Sequence, residues 1–264
     1  MLQRLNNGSA EFASSTDIGI KYLINQDCLA FDQAVPCFVL ADGVGGHQAG
    51  EIASQFVVDK LLRAQRSLAA KKLPACSLAA SLQSLLFETN QQLITLADSR
   101  GIKTGTTVVT GLIRDDLLHY MHVGDSRLYL LRNNLLSQLT KDDTLKQQVQ
   151  DLAQLSGAII TLQVPANIVT QALGLTAELD IHYGQVLLQQ GDQLLCSSDG
   201  LHDVVSLETL QQTMVNAVDL QQCANTLLKI ALKNHSYDNI SVLLMKYSPP
   251  LFTAMINRVK KQFR

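Results

Sequence analysis

Several short apolar runs in this chain end at an aspartate that is followed by a small or turn-forming residue. These aspartates are Asp42, Asp125, Asp199 and Asp238. A carboxylate at a strand end can leave the core and meet others from neighbouring strands while the chain turns sharply, most easily where Gly follows. The pattern therefore favours a fold that gathers several strand ends in one place.

Carboxylates that lie a few Å apart repel one another strongly, so such a cluster requires protons or cations to compensate its charge. Oxygen ligands without convergent Cys or His favour Mg²⁺ or Mn²⁺ over Zn²⁺. Asp-Gly is also a common turn, and a purely structural turn is the alternative for any single one of these positions.

Segments rich in β-branched and aromatic residues predict the strands. They cover residues 37–41, 106–113, 117–123, 128–131, 193–197 and 240–246. The turn pairs Gly124-Asp125 and Asn133-Asn134 lie between apolar runs, so residues 117–136 are predicted to form successive antiparallel strands, a meander.

Apolar residues at spacings of three and four predict helices between these strands. One helix carries Ala53, Val57, Leu61, Ala64 and Leu68, the next Leu78, Leu82, Leu85, Leu93 and Leu96, and others cover 142–155 and 220–232. Antiparallel strands interrupted by helix pairs favour an α+β fold in which helices cover sheets.

Composition excludes several classes of protein. Lys and Arg number 21 against 23 Asp and Glu, so the net charge of -2 offers no bulk attraction for nucleic acid. The 5 Cys residues are widely spaced, which favours reduced thiols in a cytoplasmic protein. The amino-terminal residues are polar, and no apolar run has the roughly 18 residues of a membrane span.

The order of motifs resembles the protein phosphatase 2C family of metal-dependent phosphatases, in particular its bacterial members. The motifs are TDIGIKYLINQD, ADGVGGHQAGEIAS, Gly-Thr-Thr at 105–107, HVGDSRLYLLR, LTKDD, NIVTQALG, GDQLLCSSDGL and YDNISVLL. They extend over residues 16–246 and follow the order of the family. The resemblance implies two packed antiparallel sheets flanked by helix pairs, an α-β-β-α sandwich with a binuclear metal site at one end.

The resemblance also implies a role for each matching position. Asp42 would bridge two Mg²⁺ or Mn²⁺ ions, the Gly43 carbonyl would bind one of them, and Asp199 and Asp238 would bind the other. Asp27 would support the site at its edge. Asp125 would form a weaker third site together with Asp199. Through the water activated by this centre, Asp42, Asp199 and Asp238 are the expected catalytic residues.

The residues expected to bind substrate depart from the family pattern. Tyr22 stands where the family usually has an Arg that grips the substrate phosphate, and the adjacent Lys21 could face away if it lies on a strand. A Tyr hydroxyl donates one neutral hydrogen bond where Arg offers a charged fork. Val44 replaces a His of eukaryotic members, so His47 or a metal-bound water would protonate the leaving group.

The expected organisation is a catalytic domain over residues 1–247, with a flap over 139–171, and a basic amphipathic tail over 248–264. The tail either packs on its own domain or contacts an acidic membrane or a partner. We expect a monomeric protein phosphatase that acts on phosphoserine and phosphothreonine, with a Ser/Thr protein kinase and its substrates as partners. The alternative function is a phosphatase-like regulatory binding module with weak activity.

Overall fold

The fold was analysed in a computed structural model that describes residues 9–44, 49–71, 73–156, 165 and 168–249. Its strands are β1 (Ser9–Asp17), β2 (Asp27–Asp32), β3 (Cys37–Val44), β4 (Gly105–Thr106), β5 (Val108–Arg114), β6 (Leu117–Val123), β7 (Arg127–Arg132), β8 (Leu135–Gln138), β9 (His182–Leu187), β10 (Gln193–Ser197) and β11 (Ile240–Ser248). Its helices are α1 (Gly50–Ala70), α2 (Ala75–Arg100), α3 (Leu145–Ser156), α4 (Asp199–His202), α5 (Leu207–Asn216) and α6 (Leu220–Lys233).

The strands form two antiparallel sheets. One sheet has the order β1-β11-β10-β7-β8, and the other has the order β2-β3-β5-β6-β9 with β4 paired to β3. The chain passes between the sheets several times, so each sheet contains strands from both halves of the sequence. Residues far apart in sequence therefore meet at the ends of the strands.

Alternate residues of the central strands enter different cores, because both faces of these strands are buried. In β3, Phe38 and Leu40 pack between the two sheets, whereas Val39 faces α1 and α2. In β11, Leu243 joins the layer between the sheets and Leu244 packs against α5 and α6. This double burial explains why these strands are continuously apolar instead of alternating with polar residues.

The resulting layers are helix, sheet, sheet and helix, with α1 and α2 outside one sheet and α5 and α6 outside the other. The predicted α-β-β-α sandwich is thus confirmed. The helices predicted from the Ala53 and Leu78 series are α1 and α2, and the predicted helix at 220–232 is α6. Strands β1, β2 and β9 and helices α4 and α5 were not predicted, because their polar residues and short apolar runs weaken the periodic signal.

The predicted meander over residues 117–136 is wrong in one respect. Asn133 and Asn134 both have positive φ and join β7 to β8 as a tight hairpin, as predicted. However, β6 and β7 lie in different sheets, so Gly124-Asp125 is a crossing between sheets. Gly124 has φ +98, and a Cβ there would lie 2.7 Å from the Thr107 side chain, which explains the need for glycine.

Two predicted features lie wholly or partly outside the described residues. The final strand ends at Ser248, and most of the predicted tail over 248–264 falls beyond the described part of the chain. The flap-like segment 139–171 is described only in part, including α3. Among the described helices, none combines the length and the hydropathy that crossing a membrane requires.

Leu112→Ala tests the core between the sheet of β5 and helices α1 and α2. Leu112 is fully buried there, so the change removes apolar contacts and leaves a cavity that costs roughly 2–5 kcal/mol of unfolding free energy. Urea unfolding followed by far-ultraviolet circular dichroism measures the loss, since the chain has no Trp.

Leu187→Ala is the matched control. Leu187 lies in β9 of the same sheet but is 63% exposed, so its truncation should change the unfolding free energy by less than about 0.5 kcal/mol. Equal losses in the two variants would contradict the assignment of Leu112 to the core.

Candidate metal centre

Two of the predicted site residues face each other across neighbouring strands. Asp27 at the start of β2 pairs directly with Asp42 in β3. Side chains two residues apart on a strand point to the same face. Leu29 and Phe31 on the Asp27 strand, and Leu40 on the Asp42 strand, face the layer between the sheets, so Asp27 and Asp42 face the same layer. The two carboxylates therefore lie at one end of this layer.

The backbone around Asp42 and Gly43 is held by the strand that follows α2. The Asp42 carbonyl accepts hydrogen bonds from Thr107 N at 2.8 Å and from Thr106 Oγ1 at 2.8 Å. A Cβ at Gly43 would lie 2.5 Å from the backbone of Gly50, where α1 begins. Only glycine permits this close approach of β3 to the first turn of α1.

Asp199 and Asp238 come from the other sheet. Asp199 follows β10 and begins the short helix α4, while Asp238 precedes β11, the neighbour of β10. The sheets are joined here by Ser198, whose Oγ donates to Asp27 Oδ2 at 2.8 Å and accepts from Ser241 N at 2.9 Å. The end of β10 is thus fixed beside Asp27.

Asp125 lies on the crossing between β6 and β7 and lines a cavity of about 240 Å³. The same cavity is lined by Arg127, Asp142, Lys146 and Asp203 among others. Asp142 accepts hydrogen bonds from two nitrogens of Arg127, from Nε at 2.9 and 3.0 Å to its two oxygens and from Nη2 at 2.6 Å. Because Arg127 is engaged in this bidentate pair, it compensates Asp142 more directly than Asp125.

Burial and the charges of neighbouring carboxylates raise the pKa values of four aspartates at this end of the sandwich, Asp27, Asp42, Asp125 and Asp199. Burial is the largest cause for each, and it raises the pKa of Asp27 to about 6 and that of Asp125 to about 7. The pKa values of Asp42 and Asp199 lie well above the ordinary range, first through burial and then through the charges of neighbouring aspartates. The site thus stabilises bound protons or, in their place, bound cations.

The free oxygen atoms of the cluster fit a divalent cation. Asp27 Oδ1 and Asp199 Oδ1 are buried and have no hydrogen-bond partner among the described residues. Such atoms are costly unless a ligand satisfies them. In the described part of the chain, no three of these carboxylates bring oxygens within 4.8 Å of one another, so the donors are spread more widely than the shell of one ion.

Lys21 and Tyr22 lie together at the edge of this end of the sandwich, in the loop between β1 and β2. The Lys21 ammonium donates to Tyr22 Oη at 3.2 Å and lies 4.8 Å from the centre of its ring. The expectation that Lys21 could face away on a strand is therefore wrong. Tyr22 is the main cause of the raised pKa of Lys21, and Asp238 adds to it.

Sequence reasoning missed Asn239, which holds this loop in place. Its Oδ1 accepts from Gln26 N at 2.7 Å, and its Nδ2 donates to Ile18 O at 2.7 Å. Asn239 is buried directly after Asp238. Its presence in the closing motif was the available signal, because a buried side-chain amide needs hydrogen-bond partners. His47, predicted as a possible acid, lies outside the described residues.

A comparison with known families matches residues 21–235 to the model described as protein phosphatase 2C. The chain belongs to the protein phosphatase 2C family. It is 31% identical over 239 residues to the protein phosphatase PhpP of Streptococcus pneumoniae, covering 89% of this chain and 96% of that protein. It is also 31% identical over 213 residues to the serine/threonine phosphatase stp of Listeria monocytogenes, covering 80% and 84% of the two chains.

Solved structures show the same fold. The Mycobacterium tuberculosis serine/threonine phosphatase PstP superposes with a TM-score of 0.79 at 30% identity and covers 90% of this chain and 98% of its own. The catalytic domain of PstP in complex with two manganese ions also gives a TM-score of 0.79 at 30% identity, covering 91% and 99%. This phosphatase 2C chain is therefore a protein serine/threonine phosphatase by family, with the family's fold.

The raised pKa values predict a stabilisation by Mg²⁺ that grows with pH. Asp27 and Asp125 bind protons in the folded state up to pH of about 6 and 7, whereas an unfolded Asp releases its proton near 3.8. The metal-free folded state therefore loses stability from these groups as pH rises through this window. Mg²⁺ competes with the same protons, so we expect the difference in Tm with and without Mg²⁺ to increase between about pH 5 and pH 7.5.

Two variants control this measurement by thermal unfolding. Asp199→Asn removes a negative charge from the cluster, so the metal-free variant should unfold at a higher temperature than the wild type and gain less from Mg²⁺. Asp59→Asn changes an exposed carboxylate on α1 and should reproduce the wild type. A Mg²⁺ effect that is the same at both ends of the pH range would contradict the assigned electrostatics.

Proposed function

We propose that this chain hydrolyses phosphoserine and phosphothreonine in proteins by means of a binuclear Mg²⁺ or Mn²⁺ centre. In this proposal Asp42, the Gly43 carbonyl, Asp199 and Asp238 hold the ions, and Asp27 supports them from the edge. Asp125 and Asp199 form a weaker third site. The observation that carries the proposal is a cluster of buried and half-buried carboxylates in which Asp27 Oδ1 and Asp199 Oδ1 are buried without a hydrogen-bond partner among the described residues.

A bound pair of divalent cations would lower the pKa of an attacking water and neutralise charge on the phosphoryl group. The carboxylates that hold such ions must themselves be fixed in position by the surrounding residues. Asp27 and Asp42 are fixed as a directly opposed strand pair, and Ser198 Oγ orients one oxygen of Asp27 at 2.8 Å. This support leaves the other Asp27 oxygen for the metal or its water, because only Oδ2 is engaged.

The substrate phosphate would approach from the side of Lys21 and Tyr22. Lys21 offers a cationic group and Tyr22 a hydroxyl, and the contact between them places both donors on one side of the site. Together they could perform part of the role of the Arg that the family pattern has in place of Tyr22. Asn239 would act as a positioning residue, since it binds the backbone on both sides of this pair.

The proposed partners are phosphorylated proteins, including a Ser/Thr protein kinase and its substrates. The names of the relatives from Streptococcus and Listeria describe phosphatases of this kind, and nothing in the charge of the chain favours nucleic acid. A monomeric, cytoplasmic enzyme remains the prediction. The cysteines agree with a reducing compartment, because all 5 are free thiols.

A phosphatase-like binding module with weak activity is the second candidate. The observation that favours it is Tyr22, which offers less charge to phosphate than an Arg. A module without catalysis has no need of a costly cluster of carboxylates, and the half-buried Asp42 and Asp199 have strongly raised pKa values here. The electrostatic cost of this cluster therefore favours the enzyme over the module.

Release of phosphate from a phosphothreonine peptide should require Mn²⁺ or Mg²⁺ and stop when a chelator is added. Asp199→Asn should lower kcat/KM by at least about 100-fold, since removal of a direct ligand costs no less than the loss of its supporting contacts. Asp59→Asn is the control. Equal turnover with and without chelator would refute the enzymatic proposal, and full activity of Asp199→Asn would refute the ligand assignment.

Tyr22→Arg should lower KM for the same peptide by roughly fivefold, because hydrogen bonds to a charged partner exceed neutral ones by about 1 kcal/mol. The matched control is Leu23→Arg, which adds the same charge at a neighbouring side chain that is 96% exposed. A raised KM for Tyr22→Arg would show that the Tyr ring itself binds substrate. The same decrease in both variants would indicate a general effect of positive charge.

A further inference from the structure

A group of metal-binding side chains lies outside the proposed phosphatase centre. His122, Asp143 and His182 each place one possible ligand atom within 4.8 Å of the others, and no other set of three His, Cys, Asp or Glu does so in the described ranges. His122 and His182 are directly opposed in the antiparallel pair β6 and β9. Asp143 reaches them from the segment before α3.

His122 provides an unused nitrogen in this cluster. Its Nε2 lies 2.7 Å from the Lys141 carbonyl oxygen and 3.3 Å from Lys141 N. The shorter contact decides the tautomer, because a carbonyl oxygen only accepts, and it assigns the ring proton to Nε2. Burial lowers the pKa of His122 and favours the neutral ring. Nδ1 then carries a lone pair, and it is buried without a hydrogen-bond partner among the described residues.

The free Nδ1 and the hydrogen-bonded Nε2 of His122 are the arrangement expected of a histidine that binds a metal. His122 is only 3% exposed, and a buried imidazole nitrogen without a partner is costly. Metal-binding His residues generally donate their other ring N–H to a backbone carbonyl or a carboxylate, which fixes the tautomer and the ring orientation. The Lys141 carbonyl has this role for His122.

Asp143 and His182 complete a set of two imidazoles and one carboxylate. His182 Nε2 lies 2.8 Å from Asp143 Oδ1, and Asp143 Oδ2 accepts from Gly124 N at 2.8 Å. The rings of His122 and His182 stack at 4.7 Å between their centres. Asp143 is thus anchored through one oxygen while its other oxygen faces the imidazoles.

We propose that His122, His182 and Asp143 form a transition-metal site of the Zn²⁺ class, separate from the phosphatase centre. Imidazole nitrogens favour Zn²⁺ and its neighbours over Mg²⁺, which prefers oxygen donors. Three protein ligands leave one position of a tetrahedral ion for water, and the His182 side chain is 36% exposed toward solvent. Binding through His182 Nε2 releases to solvent the hydrogen that this nitrogen donates to Asp143.

The distances require only a small closure around the ion. Ligand atoms about 2.0 to 2.1 Å from Zn²⁺ in a tetrahedron lie roughly 3.3 Å from one another, and the present atoms lie within 4.8 Å. His182 is the least buried of the three side chains and is therefore the one that can make this adjustment. Asp143 already links the segment before α3 to the end of β6 through its hydrogen bonds with Gly124 N and O. A bound ion would reinforce this link.

Co²⁺ titration of the full chain in excess Mg²⁺ tests the proposal. Mg²⁺ occupies the oxygen-rich centre, and Co²⁺ bound to imidazole gives a visible ligand-field absorption that Mg²⁺ does not. We expect one equivalent of Co²⁺ to bind, with Zn²⁺ displacing it. His182→Gln and Asp143→Asn should each weaken Co²⁺ binding by at least about tenfold.

Two further variants test whether the Co²⁺ ion binds at this cluster and not elsewhere in the chain. His119→Gln changes a buried His in the same strand that bonds to Tyr183 instead of the cluster, and Asp199→Asn disables the phosphatase centre. Both should retain the Co²⁺ band. The proposal is overturned if no band forms, if His182→Gln binds Co²⁺ as tightly as the wild type, or if Asp199→Asn abolishes the band, which would place the ion in the acidic centre.

Discussion

The packing of two sheets face to face is the constraint on which the site depends. Phe38, Leu128 and Leu243 fill the layer between the sheets, and this layer ends where β2, β3, β10 and β11 end or begin. Side chains that continue the same rows beyond the apolar residues still point toward the partner sheet. Polar groups at these positions are therefore forced together, partly buried, at one end of the molecule.

Carboxylates placed in this way have an electrostatic cost that the local contacts only partly offset. Ser198 satisfies one oxygen of Asp27, and the Asp42 carbonyl is held by Thr106 and Thr107. These bonds fix the Asp27 side chain and the Asp42 backbone but do not cancel the charge of Asp42 and Asp199, whose pKa values stay strongly raised. The divalent cation pair of the proposed function would supply the missing compensation.

The same end of the sandwich carries polar groups with different chemistry. The pair of Arg127 and Asp142 is internally neutralised and frames the cavity beside Asp125. The stacked His122 and His182 are opposed to each other on the neighbouring strands β6 and β9. Oxygen donors are concentrated between β3 and β10, and nitrogen donors lie between β6 and β9, so the two regions differ in the cations that they favour.

The sequence by itself determined the local elements and the identity of the acidic motifs. Strands β3, β6, β10 and β11 and helices α1, α2 and α6 follow from apolar runs and from spacings of three and four, because burial acts on each element through its own side chains. The aspartates could be selected by their position at strand ends. The hairpin at Asn133 and Asn134 was also predictable, because positive φ is a local requirement.

Only the tertiary structure decided which strands share a sheet and which side chains meet. The sequence around Gly124 resembles a hairpin turn, but Thr107 bonds to Ser126 and Asp143 bonds to Gly124 in this segment, and β7 lies in the other sheet. Asn239 and the cluster of His122, Asp143 and His182 were likewise missed. Their partners are distant in sequence, 213 residues for Gln26 with Asn239 and 39 for Asp143 with His182, and contacts of that range depend on the packing of both sheets and not on any local pattern.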